Sequence, residues 1–185
     1  RIAIAQINLT VGDIEGNVRK IADYIQKAKS FGADMAIFPE LAISGYPPED
    51  LLHKERFIDD NVAALKKLAK GVDDIVVIAG FADKRGNDIY NSAAVIQKGQ
   101  TKWTYDKMLL PNYGVFDERR YFKPGREASV FKLGDITFGV NICEDIWHKN
   151  GPTKAQAEAG ASFVININAS PYYAGKTRER EDIVK

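Results

Sequence analysis

The chain has 185 residues, 45% of them hydrophobic, which is enough for one compact domain with a substantial core. Lys and Arg total 26 against 25 Asp and Glu, so the net charge of +1 provides no field to attract nucleic acid or an anionic membrane. The single cysteine rules out an internal disulfide framework and a CxxC zinc site, and it points to a reducing, cytoplasmic setting.

Taken in chain order, IAIAQIN is an apolar, Ile-rich run expected to form a buried strand. Its 13-residue surroundings, RIAIAQINLTVGD, are too short an apolar stretch for a signal peptide core, and no later run approaches a membrane span. Gly16 and Asn17 are expected to open a helix whose Val18, Ile21, Ala22, Ile25 and Ala28 recur at helical spacing, with Gly32 closing it. ADMAIFP reads as the second strand. ERFIDDNVAALKKLAK follows as an amphipathic helix with Phe57, Ile58, Val62, Leu65 and Leu68 on one face. IVVIAGFAD is the third strand. NSAAVIQKG and TKWTYDK, joined through Lys98, Gly99 and Gln100, form a hairpin, which makes the sheet mixed. ASVFKLGDITFGVNIC is a second hairpin turning at Gly134 and Asp135, followed by a short helix in TKAQAEAGA and a strand in SFVININAS. KTRER, with arginines alternating with an acid, reads as a solvated helix face rather than a nucleic-acid patch. Strands alternating with helices make this an α/β domain.

Three strand ends carry reactive groups: Glu40 after FP, Lys107 after TYD and Cys143 after VNI. In open α/β sheets ligands gather beyond the carboxyl ends of strands, so one site could use all three. Taken singly, each has an ordinary reading. A lone cysteine in an apolar strand is a small buried hydrophobe, Glu40 is a solvated loop acid and Lys107 a surface lysine. The two histidines, His53 and His148, are too few for a histidine-based metal site and do not pattern with Cys143 as a Cys/His pair, so both read as incidental. Neither GxxxxGK[ST] nor GxGxxG occurs, so the chain shows no phosphate cradle.

The company of these residues changes the balance. FPELAISGYPPEDLL, YDKMLLPNYGVFDERRYFKPG and GVNICEDIW resemble the three catalytic segments of the nitrilase superfamily of carbon–nitrogen hydrolases. SGYPPEDLL, LPNYGVFDE and ASPYYAGK narrow the resemblance to the glutaminase domains of glutamine-dependent NAD synthetases. The resemblance implies an α-β-β-α sandwich, reached by packing two such domains, and a Glu–Lys–Cys triad of Glu40, Lys107 and Cys143. Glu40 would be the base, Lys107 an oxyanion donor and Cys143 the nucleophile, with the backbone N–H of Glu144 as second donor. It further implies that Glu118 supports Lys107, that Glu144 and Tyr113 grip the substrate, that Trp147 lines the pocket, and that Ser170 and Lys176 contact the glutamine backbone. The implied partners are L-glutamine, a C-terminal synthetase domain of the same chain that binds ATP and Mg, and further copies in a homo-oligomer. On this reading residues 1–185 are a glutaminase domain incomplete at its C-terminus, with no cofactor or metal of its own. The rivals are a stand-alone amidase, nitrilase or N-carbamoyl hydrolase of the same superfamily, and a non-catalytic binding or scaffold domain.

Overall fold

In the computed structural model, which describes residues 1–184, the strands segregate into two sheets. The first has the order β1-β2-β3-β4-β5, with β1 at Ile2–Ile4, β2 at Met35–Ile37, β3 at Val76–Arg85, β4 at Asp88–Gln97 and β5 at Gln100–Asp106. Here β1, β2 and β3 run parallel while β3, β4 and β5 are antiparallel, so the sheet is mixed as expected. The second sheet holds β6 (Val130–Leu133), β7 (Ile136–Ile142) and β8 (Phe163–Ile167), with β6 antiparallel and β8 parallel to β7.

Helices α1 (Ile14–Ser30) and α2 (Glu55–Lys70) bury Ile21, Ile25, Leu65 and Leu68 against Ala36, Val77, Ala79 and Phe81 of the first sheet. The opposite face of that sheet, through Met35, Ile37, Ile78 and Val95, meets Phe138, Val140 and Ile165 of the second. Helix α3 (Pro152–Glu158) covers the outer side of the second sheet. It is pinned there by Gln156, whose Nε2 donates to the Val140 and Ser129 carbonyls at 2.7 and 3.1 Å while Gly139 leaves room for its amide. One chain therefore supplies all four layers of the α-β-β-α sandwich, and no second domain is needed to complete them. The final helix, α4, spans Lys176–Val184.

Several expectations shift in detail. Asp13, not Gly16, caps α1, because its carboxylate accepts from the Gly16 N–H at 2.9 Å, so the helix begins before the glycine. Strand β1 is not buried on both sides. Ile2 and Ile4 share the face of Met35 and Ile37 but are 45% and 78% exposed, because the second sheet does not reach across to them among the described residues. Val62 is only partly buried, and the buried position beside it is Asn61, whose amide donates to the Ala82 carbonyl at 2.6 Å. Strands β3 and β4 extend further than their apolar runs and pair down to Arg85 and Asp88 across a two-residue Gly86–Asn87 turn. The Lys98–Gly99 turn between β4 and β5 has positive φ at both positions, 51° and 76°, as a twisted two-residue hairpin requires.

Gly80 ties the fold to the strand ends. The 39–41 turn lies directly on β3, where the Gly80 N–H donates to the Pro39 carbonyl at 3.2 Å and the Ile43 N–H to the Gly80 carbonyl at 3.2 Å. A Cβ on Gly80 would collide with the Leu41 backbone nitrogen and sit 2.6 Å from the Pro39 oxygen. Gly80→Ala is therefore expected to destabilise the protein by about 2–4 kcal/mol and to displace Glu40, measured as a lower urea midpoint with a loss of activity exceeding the loss of folded protein.

Candidate active site

Three polar side chains from three different segments meet beneath the strand ends. Lys107, following β5, is wholly buried, and its Nζ donates to Glu40 Oε1 at 2.8 Å and to the Glu118 carboxylate at 2.8 Å. Both carboxylates are buried as well. Lys107 is thus no surface lysine, and Glu40 is no solvated loop acid. The Lys107 backbone is fixed from both sides, its N–H donating to the Asn91 carbonyl and its carbonyl accepting from the Gly125 N–H, each at 2.8 Å. Glu40 is held at both oxygens: Oε1 also accepts from Asn91 Nδ2 at 2.8 Å, and Oε2 accepts from the Ala169 N–H at 3.0 Å. Glu118, on a 3-10 turn at Glu118–Arg120, also accepts from the Tyr46 hydroxyl at 3.3 Å.

Cys143 stands where β7 gives way to a 3-10 turn, Cys143–Ile146. Its φ of 44° places a non-glycine residue in the left-handed region, a conformation that costs on the order of 1–3 kcal/mol and persists only where surroundings impose it. The constraint comes from Asp145, fully buried two residues on in the same turn. Its carboxylate accepts from the N–H groups of Ile142, Met108 and Leu109 at 3.1, 3.1 and 2.8 Å and from the Tyr105 hydroxyl at 2.8 Å. One carboxylate therefore clamps the Cys143 turn to the segment that follows Lys107. Burial pushes Asp145 up to about 6, against the pull of those donors.

The electrostatics follow from two acids and one base sharing a dry volume. Burial works against the charge of Lys107, but Glu40 and Glu118 outweigh it and hold the ammonium above the ordinary lysine range. Glu118 is pushed up to about 7, first by burial and then by the charge of Glu40, with Lys107 opposing. The Cys143 thiol is driven well above its ordinary range by burial and then by Glu40, again with Lys107 opposing. Burial and Glu40 thus favour the thiol over the thiolate, and Lys107 favours the reverse.

The remaining expected site residues fall on two sides of the Cys143–Ile146 turn. A cavity of about 240 Å³ is lined by Cys143, Trp147, Asn166, Asn168, Ser170 and Arg180. Lys176 stands behind it, buried, donating to Ser170 Oγ at 2.7 Å and to the Pro171 carbonyl at 2.8 Å, with its Nζ 5.6 Å from the Trp147 ring. Lys176 thus reaches the cavity through Ser170 and Trp147. KTRER is not only a solvated face, because Arg180 and Ile183 of α4 close this cavity. On the other side, Tyr113, Glu144 and His148 line a more open cavity of about 700 Å³. The Tyr113 hydroxyl donates to Glu144 Oε2 at 2.8 Å and His148 Nε2 lies 3.2 Å from Glu144 Oε1, so His148 touches one of the expected site residues. His53 packs against the Tyr121 ring, 5.1 Å between centroids, away from Cys143.

Asn91, Asp145 and Asn166 escaped the sequence reading. Asn91 sits in the middle of a strand, and nothing but the β3–β4–β5 pairing tells that it faces Glu40. Asn166 lines the Cys143 cavity and donates to the Cys143 carbonyl at 3.3 Å. Among the described residues no group of three or more His, Cys, Asp or Glu is placed to hold a metal ion, and no helix is long and apolar enough to cross a membrane.

An α-β-β-α sandwich that gathers a thiol, a buried ammonium and carboxylates beyond its strands holds the groups that thiol-based hydrolysis uses. The sequence profile of the carbon-nitrogen hydrolases matches residues 1–182, and the chain belongs to that family. It is 45% identical over 185 residues to the glutamine-dependent NAD(+) synthetase of Thermotoga maritima, covering 98% of this chain and 32% of that protein. It superimposes with a TM-score of 0.94 and 40% identity on the glutamine-dependent NAD+ synthetase of Acinetobacter baumannii in complex with ADP, covering 99% of this chain and 35% of that one. A nitrilase-superfamily amidase from Nesterenkonia shares the fold at 22% identity and a TM-score of 0.83, over 96% of this chain and 68% of its own. The chain spans about a third of the length of the curated synthetases it matches.

Proposed function

We propose that this chain is the glutaminase part of a glutamine-dependent NAD synthetase, with residues 1–185 forming most of its amidase domain. The observation that carries the reading is the buried Lys107 bridging Glu40 and Glu118 at 2.8 Å, with Cys143 held at a φ of 44° within reach of their charges. A structural ion pair does not call for a strained thiol at its side, and a strained thiol has no use for a buried base unless its proton must move.

In the proposed cycle Glu40 removes the Cys143 proton as Sγ attacks the side-chain amide carbon of glutamine. Lys107 Nζ and the Glu144 N–H hold the resulting oxyanion. Glu40 returns the proton to the amide nitrogen, the C–N bond breaks, ammonia leaves and a thioester remains. Water then attacks the thioester, giving its proton to Glu40, and glutamate departs as the thiol is restored. Glu118 keeps Lys107 charged and aimed, while Trp147, Ser170 and Lys176 shape the acyl side of the pocket. The ammonia is used by a synthetase domain of the same chain, which binds ATP and Mg and amidates the deamido dinucleotide. We also place the enzyme in the cytoplasm, where the Cys143 thiol stays reduced, as a homo-oligomer.

The test is peptide mapping of the full-length protein after exposure to a diazoketone analogue of glutamine, with and without glutamine. The expected result is one adduct, on Cys143, suppressed by glutamine. A folded protein that takes no adduct in the presence of its synthetase substrates would overturn the glutaminase reading in favour of a stand-alone amidase or nitrilase.

A further inference from the structure

We propose that His148 is a positioning residue for Glu144, and through it selects substrates that carry an ammonium group. The inference rests on the glutaminase reading, in which Glu144 and Tyr113 meet the α-amine of glutamine. The structure adds a third member. Glu144 is nearly buried and its two carboxylate oxygens have different partners, the Tyr113 hydroxyl at 2.8 Å from Oε2 and His148 Nε2 at 3.2 Å from Oε1. With its proton on Nε2, the imidazole donates to Oε1. Each carboxylate oxygen accepts two hydrogen bonds, so a carboxylate held at both ends still has capacity for an ammonium group.

The two anchors are not equivalent. Tyr113 is 59% exposed on the loop that follows Pro111, so its hold on Glu144 is only as firm as that loop. His148 lies four residues after Glu144 on the same tight segment, where the Trp147 N–H donates to the Glu144 carbonyl at 3.0 Å and the Gly151 N–H to the His148 carbonyl at 2.8 Å. A side chain at Gly151 would crowd His148, its Cβ standing 2.9 Å from the His148 oxygen. His148 is thus carried on the same backbone segment as the Cys143 turn, whereas Tyr113 reaches Glu144 from a separate loop. The ring itself is more than half exposed and adds little to any core.

The charge around the cavity makes this aiming matter. Arg119 and Lys123 line the same cavity, and Glu144 is the one carboxylate in its lining among the described residues. A ligand cation entering there meets two cationic side chains and depends on a single anion. A Glu144 side chain free to rotate would have to be ordered by the ligand itself, a cost that appears in substrate binding and not in the acylation step.

The test uses the full-length protein and two amides, glutamine and glutaramate, which keeps the amide and carboxylate but has no α-amine. Ammonia release from glutamine by the unaltered protein first establishes that the underlying reading holds. His148→Ala is then expected to raise KM for glutamine about 5- to 10-fold with kcat within about twofold, and to leave kcat/KM for glutaramate unchanged. His148→Gln, which keeps an N–H donor, is expected to bring KM for glutamine back to within about twofold of the unaltered protein. The proposal is overturned by an unchanged KM for glutamine, by equal losses with both amides, by a fall confined to kcat, or by a KM that stays as high in the Gln variant as in the Ala variant.

Discussion

Replacing Lys107 by Met in the full-length protein is expected to lower glutamine hydrolysis at least about 10³-fold and to destabilise the fold by about 3–5 kcal/mol at pH 8. Loss of one oxyanion donor accounts for about 10²–10³ of the rate, and misplacement of Glu40 accounts for the rest. The stability cost has a separate origin. Lys107 is the one cation that contacts both Glu40 and Glu118 among the described residues, and without it these two buried carboxylates face each other uncompensated. Glu118, already pushed up to about 7 by burial and Glu40, must rise further once Lys107 no longer pulls it down. A carboxyl whose folded pKa lies above its unfolded value binds more protons folded than unfolded, so its contribution to stability is favourable at low pH and is lost as pH rises through that window. The variant is therefore expected to lose less stability at pH 5 than at pH 8. Ammonia release and urea unfolding at both pH values are the measurements. Unchanged turnover would remove Lys107 from the mechanism, and an equal stability loss at both pH values would mean that protonation of the acids does not relieve the missing charge.

Much of this was legible in the sequence because the apolar runs end where the chemistry begins. FPE, TYDK and VNIC each leave a strand on a reactive residue, and the structure brings these residues together although β2 and β5 are not adjacent and β7 lies in the other sheet, with Lys107 touching Glu40 and the charges of both felt by Cys143. Burial of Lys107 was not legible, since a lysine looks the same in sequence whether water or two carboxylates surround it. The β3–β4 hairpin was readable in principle. Gly86–Asn87 is a two-residue turn signal, but the flanking KR and DIY are too polar to register as strand by apolar run alone. Ile2 and Ile4 mislead in the other direction, because an apolar run reports what a strand could bury, while exposure depends on how far the facing sheet extends. Asn91 and Asp145 depend on register. Asn91 faces Glu40 only because β4 pairs with β3 and β5 in one particular alignment, and Asp145 reaches the segment after Lys107 only because β7 packs beside β5. His148 acquires meaning only through the turn that brings it back to Glu144.

Glu40→Gln should separate two properties that most active-site substitutions remove together. Glutamine fits the same space and can keep the contacts that Asn91 Nδ2 and Lys107 Nζ make with Oε1, at 2.8 Å each, because an amide oxygen accepts as a carboxylate oxygen does. The Ala169 N–H, which donates to Oε2 at 3.0 Å, would face an amide NH2 instead, which adds a local cost of about 1–3 kcal/mol. Lys107 retains Glu118 and remains charged. What disappears is the carboxylate proposed to take the thiol proton and deliver it to the leaving nitrogen, so ammonia release is expected to fall about 10³- to 10⁴-fold. Reactivity of the sulfur toward an alkylating agent should go the other way. The Cys143 thiol is held up by burial and then by Glu40, while Lys107 opposes. Removing the Glu40 charge removes the second of these, and the ammonium of Lys107 then stabilises a thiolate with less competition. Iodoacetamide should therefore label Cys143 in Glu40→Gln at least as fast as in the unaltered protein, although turnover is nearly gone. If both labelling and turnover collapse together, Glu40 is organising the turn around Cys143 and not moving its proton. If turnover survives, the base lies elsewhere, and Glu118, pushed up to about 7 and already in contact with Lys107, becomes the group to replace next.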